Sequence, residues 1–341
     1  MRKLFPYFAL VSLLLACSQP RDRYVQITGF AQGGTYTVKL NLKGTDVPVE
    51  EIRDSVDALL NGIDTTLSGY NKKSLVSRFN AGERVPATPL FLDMYALAYR
   101  YWERSGGALD CAAAPLFDVW GFGFKNSAFP SDEEVNRLLE SVGMRHLPPQ
   151  LPVTDGFVDP VPLGCPRLNY NAIAQGYSCD VVARYLYGIG VRDMLVDIGE
   201  IWCDGLNPSR RPWSVGVDRP IDQPEGPSDE LDGIWTSDGR RCGVVTSGNY
   251  RKFYIRDGRK YAHTIDPVTG YPVQHNLLSA TVVSSHSAAD ADAAATWCMV
   301  VGLERAKKLV LETPEWEAYL IYALDNGEMA EWASPGFTVT K

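Results

Sequence analysis

Asp292 and Thr296 stand four residues apart in a segment, Ser287 to Met299, whose pattern predicts a helix, so their side chains share one face. A carboxylate and a hydroxyl are hard oxygen donors, and they suit Mg²⁺ better than zinc. The positions around them are alanine, including Ala291, Ala293, Ala294 and Ala295. Small side chains of this kind let a second backbone or a phosphate come close. Taken alone, the pair reads first as a solvated Asp and a Thr bonded to its own helix. Ser287 and Asp290 form a plausible capping pair, with Asp290 as a cap rather than a ligand. Upstream, His263 precedes Asp266-Pro267-Val268-Thr269-Gly270. An imidazole with an unperturbed pKa near ~6.5 can move a proton at neutral pH. The Asp-Pro-x-Thr-Gly run is first of all a turn, with Asp capping it and Gly at positive φ.

Two further stretches could face a ligand. Ser105-Gly106-Gly107-Ala108-Leu109-Asp110 leads into Pro115 to Gly123, which carries Phe117, Trp120 and Phe122. Backbone amides of the Gly-Gly segment could turn to a ligand and the aromatics could line a ring pocket. A packed turn over an aromatic core is the plainer reading. Asn171 to Tyr177 opens a helix, and free amides at a helix start suit an anion. No Gly-Lys-Ser/Thr, no GxGxxG opening a helix, no nucleophile elbow and no HExxH occurs.

The elements that must hold these residues follow from spacing. Ile27 to Leu40 reads as strand with a bend at Gly33-Gly34. Helices are expected over Val49–Ile63, Leu90–Arg104, from Ser131 to before Gly143, over Ala172–Tyr187, and from Leu303 to Glu312. Met194 to Ile198 reads as a buried strand, and Asp218 to Gly239, rich in Pro, Asp and Gly, as a loop. Strand segments recur at Val244, Phe253 and Ala280. Helices and hairpins mix without βαβ alternation, which favours an α+β fold over a doubly wound one.

The chain has 341 residues, 45% of them hydrophobic, and a net charge of −8. That balance argues against a nucleic-acid partner, which needs a basic face. Residues 1–16 have a basic start at Arg2 and Lys3, then an apolar run too short to span a bilayer as a helix, and read as a signal peptide. Leu14-Leu15-Ala16-Cys17 matches a lipoprotein cleavage site, making Cys17 the expected lipid-bearing terminus, followed by a tether over residues 17–27 and one domain over 28–341. Of the other cysteines, Cys111, Cys165, Cys179, Cys203, Cys242 and Cys298, none forms a CxxC pair. Buried free thiols are the expectation, and no pairing can be read from the spacings.

In chain order these stretches resemble one family, the FAD:protein FMN transferases of ApbE type, also described as thiamine-biosynthesis lipoproteins. The resemblance runs from about Gly33 to about Leu311. Its blocks include Gly34-Thr35-Tyr36, Leu67-Ser68-Gly69-Tyr70, Ser74 to Asn80, Asn171 to Asp180, Val196 to Glu200 and Thr246-Ser247-Gly248-Asn249-Tyr250, besides those around His263 and Asp292. It implies a two-lobed α+β fold with mixed or antiparallel sheets, helices flanking them and FAD between the lobes. It implies a Mg²⁺-dependent transfer of FMN from FAD to a Thr or Ser hydroxyl of an exported protein, with AMP released. It also implies work at the bacterial cell envelope, facing the periplasm, on either membrane. By the match, Asp292 and Thr296 would hold Mg²⁺ through their side chains and Ala172 through its carbonyl. Tyr70 would pack on the flavin, and Gln32, Ala108, Leu109, Asp110, Asn169, Gln175 and Ile265 would lie along the FAD. His263 is the implied catalytic histidine. Three positions depart from the family: Asn169 where Asp is usual, Gln175 where Lys or Glu is frequent, and Gln32 where Met is common. An FAD pyrophosphatase and a non-catalytic FAD-binding lipoprotein remain the alternatives.

Overall fold

The computed structural model describes residues 22–123, 129–160, 166–221, 230–250, 253–256 and 258–341. The signal peptide, Cys17 and Cys165 lie outside them. The strands are β1 (Tyr24–Ala31), β2 (Gly34–Asn41), β3 (Val85–Pro86), β4 (Val153–Thr154), β5 (Phe157–Val158), β6 (Met194–Asp197), β7 (Ile201–Asp204), β8 (Ser214–Asp218), β9 (Leu231–Thr236), β10 (Cys242–Gly248), β11 (Phe253–Arg256), β12 (Arg259–Ala262), β13 (Leu277–Ser284), β14 (Trp316–Ala323), β15 (Met329–Ala333) and β16 (Val339–Thr340). The helices are α1 (Val49–Leu67), α2 (Leu75–Asn80), α3 (Pro89–Arg104), α4 (Ala114–Val119), α5 (Asp132–Ser141), α6 (Ala174–Gly188), α7 (Ala288–Val301) and α8 (Leu303–Leu311). Among the described residues no helix is long and apolar enough to cross a membrane.

Eight strands form the main sheet in the order β1-β2-β6-β7-β10-β13-β14-β15, with every neighbour antiparallel. Period-2 alternation divides its side chains between two cores. On β10, Gly243 meets the backbone of Ala288 and Val245 packs with α7, while Cys242 and Val244 face the other way. That second face is covered by a three-stranded sheet, β16-β9-β8, through Trp213, Trp235 and Phe337. Helices α1, α6, α7 and α8 lie against the strands on the first face.

The expected helices form, with small shifts at their ends. Three are capped as their sequences direct: Thr88 accepts the Phe91 amide, Ser131 the Glu134 amide and Ser287 the Asp290 amide. Three expectations need correction. Asp218 to Gly239 is not all loop, because Leu231–Thr236 pairs on both sides, with β8 and β16. The first strand begins at Tyr24, ahead of the expected domain boundary, because Tyr24 pairs with Asn41 at the far end of the β1–β2 hairpin.

The third correction concerns Asp290, which does not cap its own helix. Its carboxylate is 3% exposed and accepts bonds from Tyr101 Oη at 2.8 Å, Ser284 Oγ at 2.7 Å, Arg104 Nη1 at 3.3 Å and Trp316 Nε1. It ties α3, β13 and β14 to the start of α7. Asp290→Ala takes the acceptor from the buried Tyr101, Ser284 and Trp316 donors, and a loss of about 2–3 kcal/mol is expected in denaturant unfolding.

Candidate functional site

The site is built where α6 and α7 cross. Gly176, in the first turn of α6, has no side chain to hold the helices apart. A Cβ there would stand 2.3 Å from the Ala288 carbonyl oxygen and 2.9 Å from the Ala289 nitrogen. The alanines of α7 serve this approach: Ala288 and Ala294 are fully buried and Ala289 is 2% exposed.

Each helix then completes the other's end. Asp292 Oδ2 accepts the Gly176 amide at 3.0 Å. In return Asp180, one turn further along α6, accepts the amides of Ala288 and Ala289 at 2.8 and 2.9 Å. Each carboxylate therefore occupies first-turn amides of its neighbour, where the helix dipole favours negative charge. Burial still dominates their ionisation. It pushes Asp180 up to about 6 against both amide bonds. It holds the Asp292 carboxyl far above the usual carboxylate range against the Gly176 bond, and the charge of Asp180 adds to the shift.

Of the other expected ligands, Thr296 lies on the same helix. It is one turn beyond Asp292, and its hydroxyl lies 3.5 Å from Ser247 Oγ on β10. Ala172 precedes the start of α6 by two residues. Sequence reasoning did not single out Ser247, although it lies inside the quoted Thr246 to Tyr250 block. Among the described residues no group of three or more His, Cys, Asp or Glu could hold a metal. The donors at hand are oxygens: the Asp292 carboxylate, two hydroxyls and the backbone before α6. A strongly buried carboxylate with a second acid nearby and hydroxyls alongside fits a small hard cation such as Mg²⁺ and not a thiophilic metal.

Several expected FAD neighbours border this crossing. Gln32 sits at φ 52° in the β1–β2 turn and donates its amide to Ser178 Oγ on α6. Gln175 Nε2 donates to the Ile198 carbonyl at 3.3 Å, beneath the turn where Gly199 takes a φ of 90°. Asn169 Oδ1 accepts the Asn171 amide at 3.0 Å, and Asn171 Nδ2 lies 3.3 Å from the hydroxyl of Tyr70. Tyr70 is 62% exposed. The Asn169 backbone amide bonds the Cys111 carbonyl at 2.6 Å, which brings the Ala108–Asp110 segment alongside. Burial raises the Cys111 thiol, and the charges of Asp110 and Asp292 add to it.

Two expectations about free amides fail. The amides of Gly106, Gly107 and Ala108 bond carbonyls in the last turn of α3 and at Ser105, and the Leu109 amide bonds Ser105 Oγ. They finish a helix and do not face a ligand. At α6, the amides of Ile173 and Ala174 both go to the Tyr170 carbonyl and that of Gly176 to Asp292, so most amides at its start are already taken. Asp110 is mostly buried, with its carboxylate taking the amides of Ala112 and Met144; burial raises its pKa.

His263 stands in a different neighbourhood. Its ring centroid is 6.4 Å from that of Phe122, edge to face, within an aromatic group that includes Trp120, Tyr254 and Tyr261. The aromatics after Pro115 therefore form a packed cluster. The following segment is a turn, as its composition directs. Asp266 Oδ1 accepts the Val268 amide, and Gly270 has a φ of 80°. The Gly270 carbonyl accepts Trp120 Nε1 at 2.8 Å. Ile265 is 1% exposed and packs with Ala113. Val268 reaches the Gly107 position, so this turn borders the Ala108–Asp110 segment.

Comparison with known proteins agrees across nearly the whole chain. The model of the ApbE family matches residues 32–320. The FAD:protein FMN transferase of Vibrio cholerae is 33% identical over 340 residues, 96% of each chain, and that of Haemophilus influenzae 30% over 335, covering 95% and 94%. Among solved structures, the flavin transferase ApbE of Vibrio cholerae superposes with a TM-score of 0.75 at 30% identity, over 92% of this chain and 98% of that one. The Pseudomonas stutzeri flavinyl transferase ApbE, in its apo form, gives 0.76 at 31%, over 92% and 95%.

Proposed function

The chain belongs to the ApbE family and is a flavin transferase; from that premise we propose that the crossing of α6 and α7 is its Mg²⁺-dependent FAD-cleaving centre. The observation that carries this reading is the buried Asp292 carboxylate, held beside Thr296 and Ser247 and bonded to the first turn of α6. Asp292 and Thr296 would hold the cation through side-chain oxygens and Ala172 through its carbonyl. Mg²⁺ held there would supply charge neutralisation at the pyrophosphate.

The protein's own groups do the rest. Tyr70 stacks on the isoalloxazine, with Gln32 on the neighbouring turn. Asn169, Gln175, Ile265 and the Ala108–Asp110 segment bound the remainder of the FAD. A Thr or Ser hydroxyl of an exported protein attacks the FMN phosphorus. The bond to the AMP phosphate breaks, AMP leaves, and His263 accepts the hydroxyl proton. Asn169 keeps the turn an Asp would make, since its Oδ1 already accepts the Asn171 amide. That departure therefore changes charge more than shape. The enzyme works at the cell envelope, anchored through Cys17.

The test uses FAD and Mg²⁺ with and without an exported protein bearing a flavinylation site. FMN covalently bound to that protein is the expected result. Free FMN and AMP in the absence of acceptor would make hydrolysis the activity, and FAD recovered intact in both tubes would end the proposal. Ser247→Ala is expected to weaken Mg²⁺ by about 10-fold, as loss of a neighbour that orients a ligand does. Titration of turnover against Mg²⁺ measures it, with the limiting rate little changed.

A further inference from the structure

Cys203 and Cys242 face each other across the sheet. They are direct partners in the β7–β10 register, with their sulfurs 3.7 Å apart. Both are fully buried against the small sheet, among Trp213, Trp235 and Val244. Opposed residues of antiparallel strands have Cα atoms about 4.5 or 5.5 Å apart. Both spacings fall within the range of about 4.4–6.8 Å that a disulfide spans. The sulfurs, 3.7 Å apart, would close to a bond of about 2.05 Å. The described cysteines elsewhere, Cys111, Cys179 and Cys298, are also buried, but the contacts in this structure bring none of them to a second sulfur. Nor do the two thiols make a metal site, for no third ligand of His, Cys, Asp or Glu joins them among the described residues.

We propose that Cys203 and Cys242 are joined by a disulfide in the exported protein. The oxidant is a protein disulfide of the kind present where exported chains fold. One cysteine thiolate attacks that disulfide and forms a mixed disulfide, releasing the first oxidant sulfur as a thiol. The second cysteine thiolate attacks the mixed bond, and the other oxidant sulfur leaves. Two electrons and two protons pass from Cys203 and Cys242 to the oxidant, which departs as a dithiol. The exchange belongs to the time before β7 and β10 close on each other. In the folded chain neither sulfur has exposed surface, and the neighbouring Cys242 thiol together with burial raises Cys203. The bond encloses the segment containing β8 and β9 and pins the register of β10. The opposite face of β10 carries Gly243 beneath Ala288 and Ser247 beside Thr296.

The test takes the full chain, exported with its own leader in a bacterial host and purified from the envelope. Free thiols are alkylated in denaturant without reductant, and the digest is analysed by mass. The expected result is a peptide pair joining Cys203 to Cys242, lighter by two hydrogens than the separate thiol peptides. Recovery of both as alkylated cysteines, or of either joined elsewhere, overturns the proposal. Thermal unfolding gives a second readout. The native chain reduced in denaturant and refolded with reductant present should melt several degrees below the chain never reduced, and the Cys203→Ala/Cys242→Ala variant should melt alike after both treatments. Equal melting of the native chain after both treatments overturns it too. Neither readout depends on flavin transfer.

Discussion

Asp292→Ala is expected to reduce flavin transfer by about 10³-fold or more, because losing a metal ligand removes several kcal/mol of transition-state charge stabilisation. The companion variant Asp292→Asn separates charge from shape. Asparagine fills the same space and its carbonyl can still accept the Gly176 amide, so the α6–α7 contact survives. Activity should fall as far as in the alanine variant. Stability without metal should rise by about 1 kcal/mol or more, since the native carboxylate is buried with Asp180 nearby and charges there are costly. Added Mg²⁺ at one hundred times its Kd should stabilise the native enzyme by about 2.7 kcal/mol and leave Asp292→Asn unmoved. Calorimetry with and without Mg²⁺ measures both. An Asp292→Asn protein that Mg²⁺ stabilises as much as it does the native one would remove the carboxylate from the metal site.

Gly176→Ala is expected to damage both the fold and the site. Its Cβ would fall inside contact distance of three backbone atoms of α7, which cannot rotate away as a side chain can. Overpacking of this kind costs about 1–3 kcal/mol. Here the displaced atoms also carry hydrogen bonds, because Asp180 holds the amides of Ala288 and Ala289 at the same point. Loss of about 3 kcal/mol in denaturant unfolding is expected, together with a Mg²⁺ requirement raised at least about tenfold by the displaced oxygens. Gly62→Ala on α1 is the control, since a Cβ there meets nothing within 4 Å. It should be neutral or slightly stabilising through helix propensity.

Much of this arrangement was legible in the sequence because its cause is local. The helices follow from apolar spacing and from Thr88, Ser131 and Ser287 at their starts. The turn after His263 follows from Asp266 and Gly270. That Asp292 and Thr296 share one face follows from helical spacing. What was not legible depends on partners distant in the chain. Leu231–Thr236 contains Asp232 and Gly233 and carries no strong strand signal by itself; its neighbours β8 and β16 make it a strand. Asp290 looked like a cap because Ser287 precedes it, yet its partners Tyr101, Arg104 and Trp316 come from other elements. The amides of Gly107 and Leu109 looked available because the sequence does not reveal that α3 ends by bonding them. Ser247 lay within a recognisable motif, but its role emerges only when β10 packs against Thr296.

The exchange of carboxylates between α6 and α7 also bears on when the enzyme comes into being. Asp180 and Ala288 are separated by 108 positions, and Gly176 and Asp292 by 116. While the ribosome is still making the intervening segment, α6 has no partner for the Gly176 amide and Asp180 has no helix end to cap. A chain released early would carry the Gly-Gly segment, the aromatic cluster and α6, and would still lack the cation's carboxylate. With the metal site proposed here, metal capture is a late event in the life of the polypeptide and requires that both ends of the fold have met.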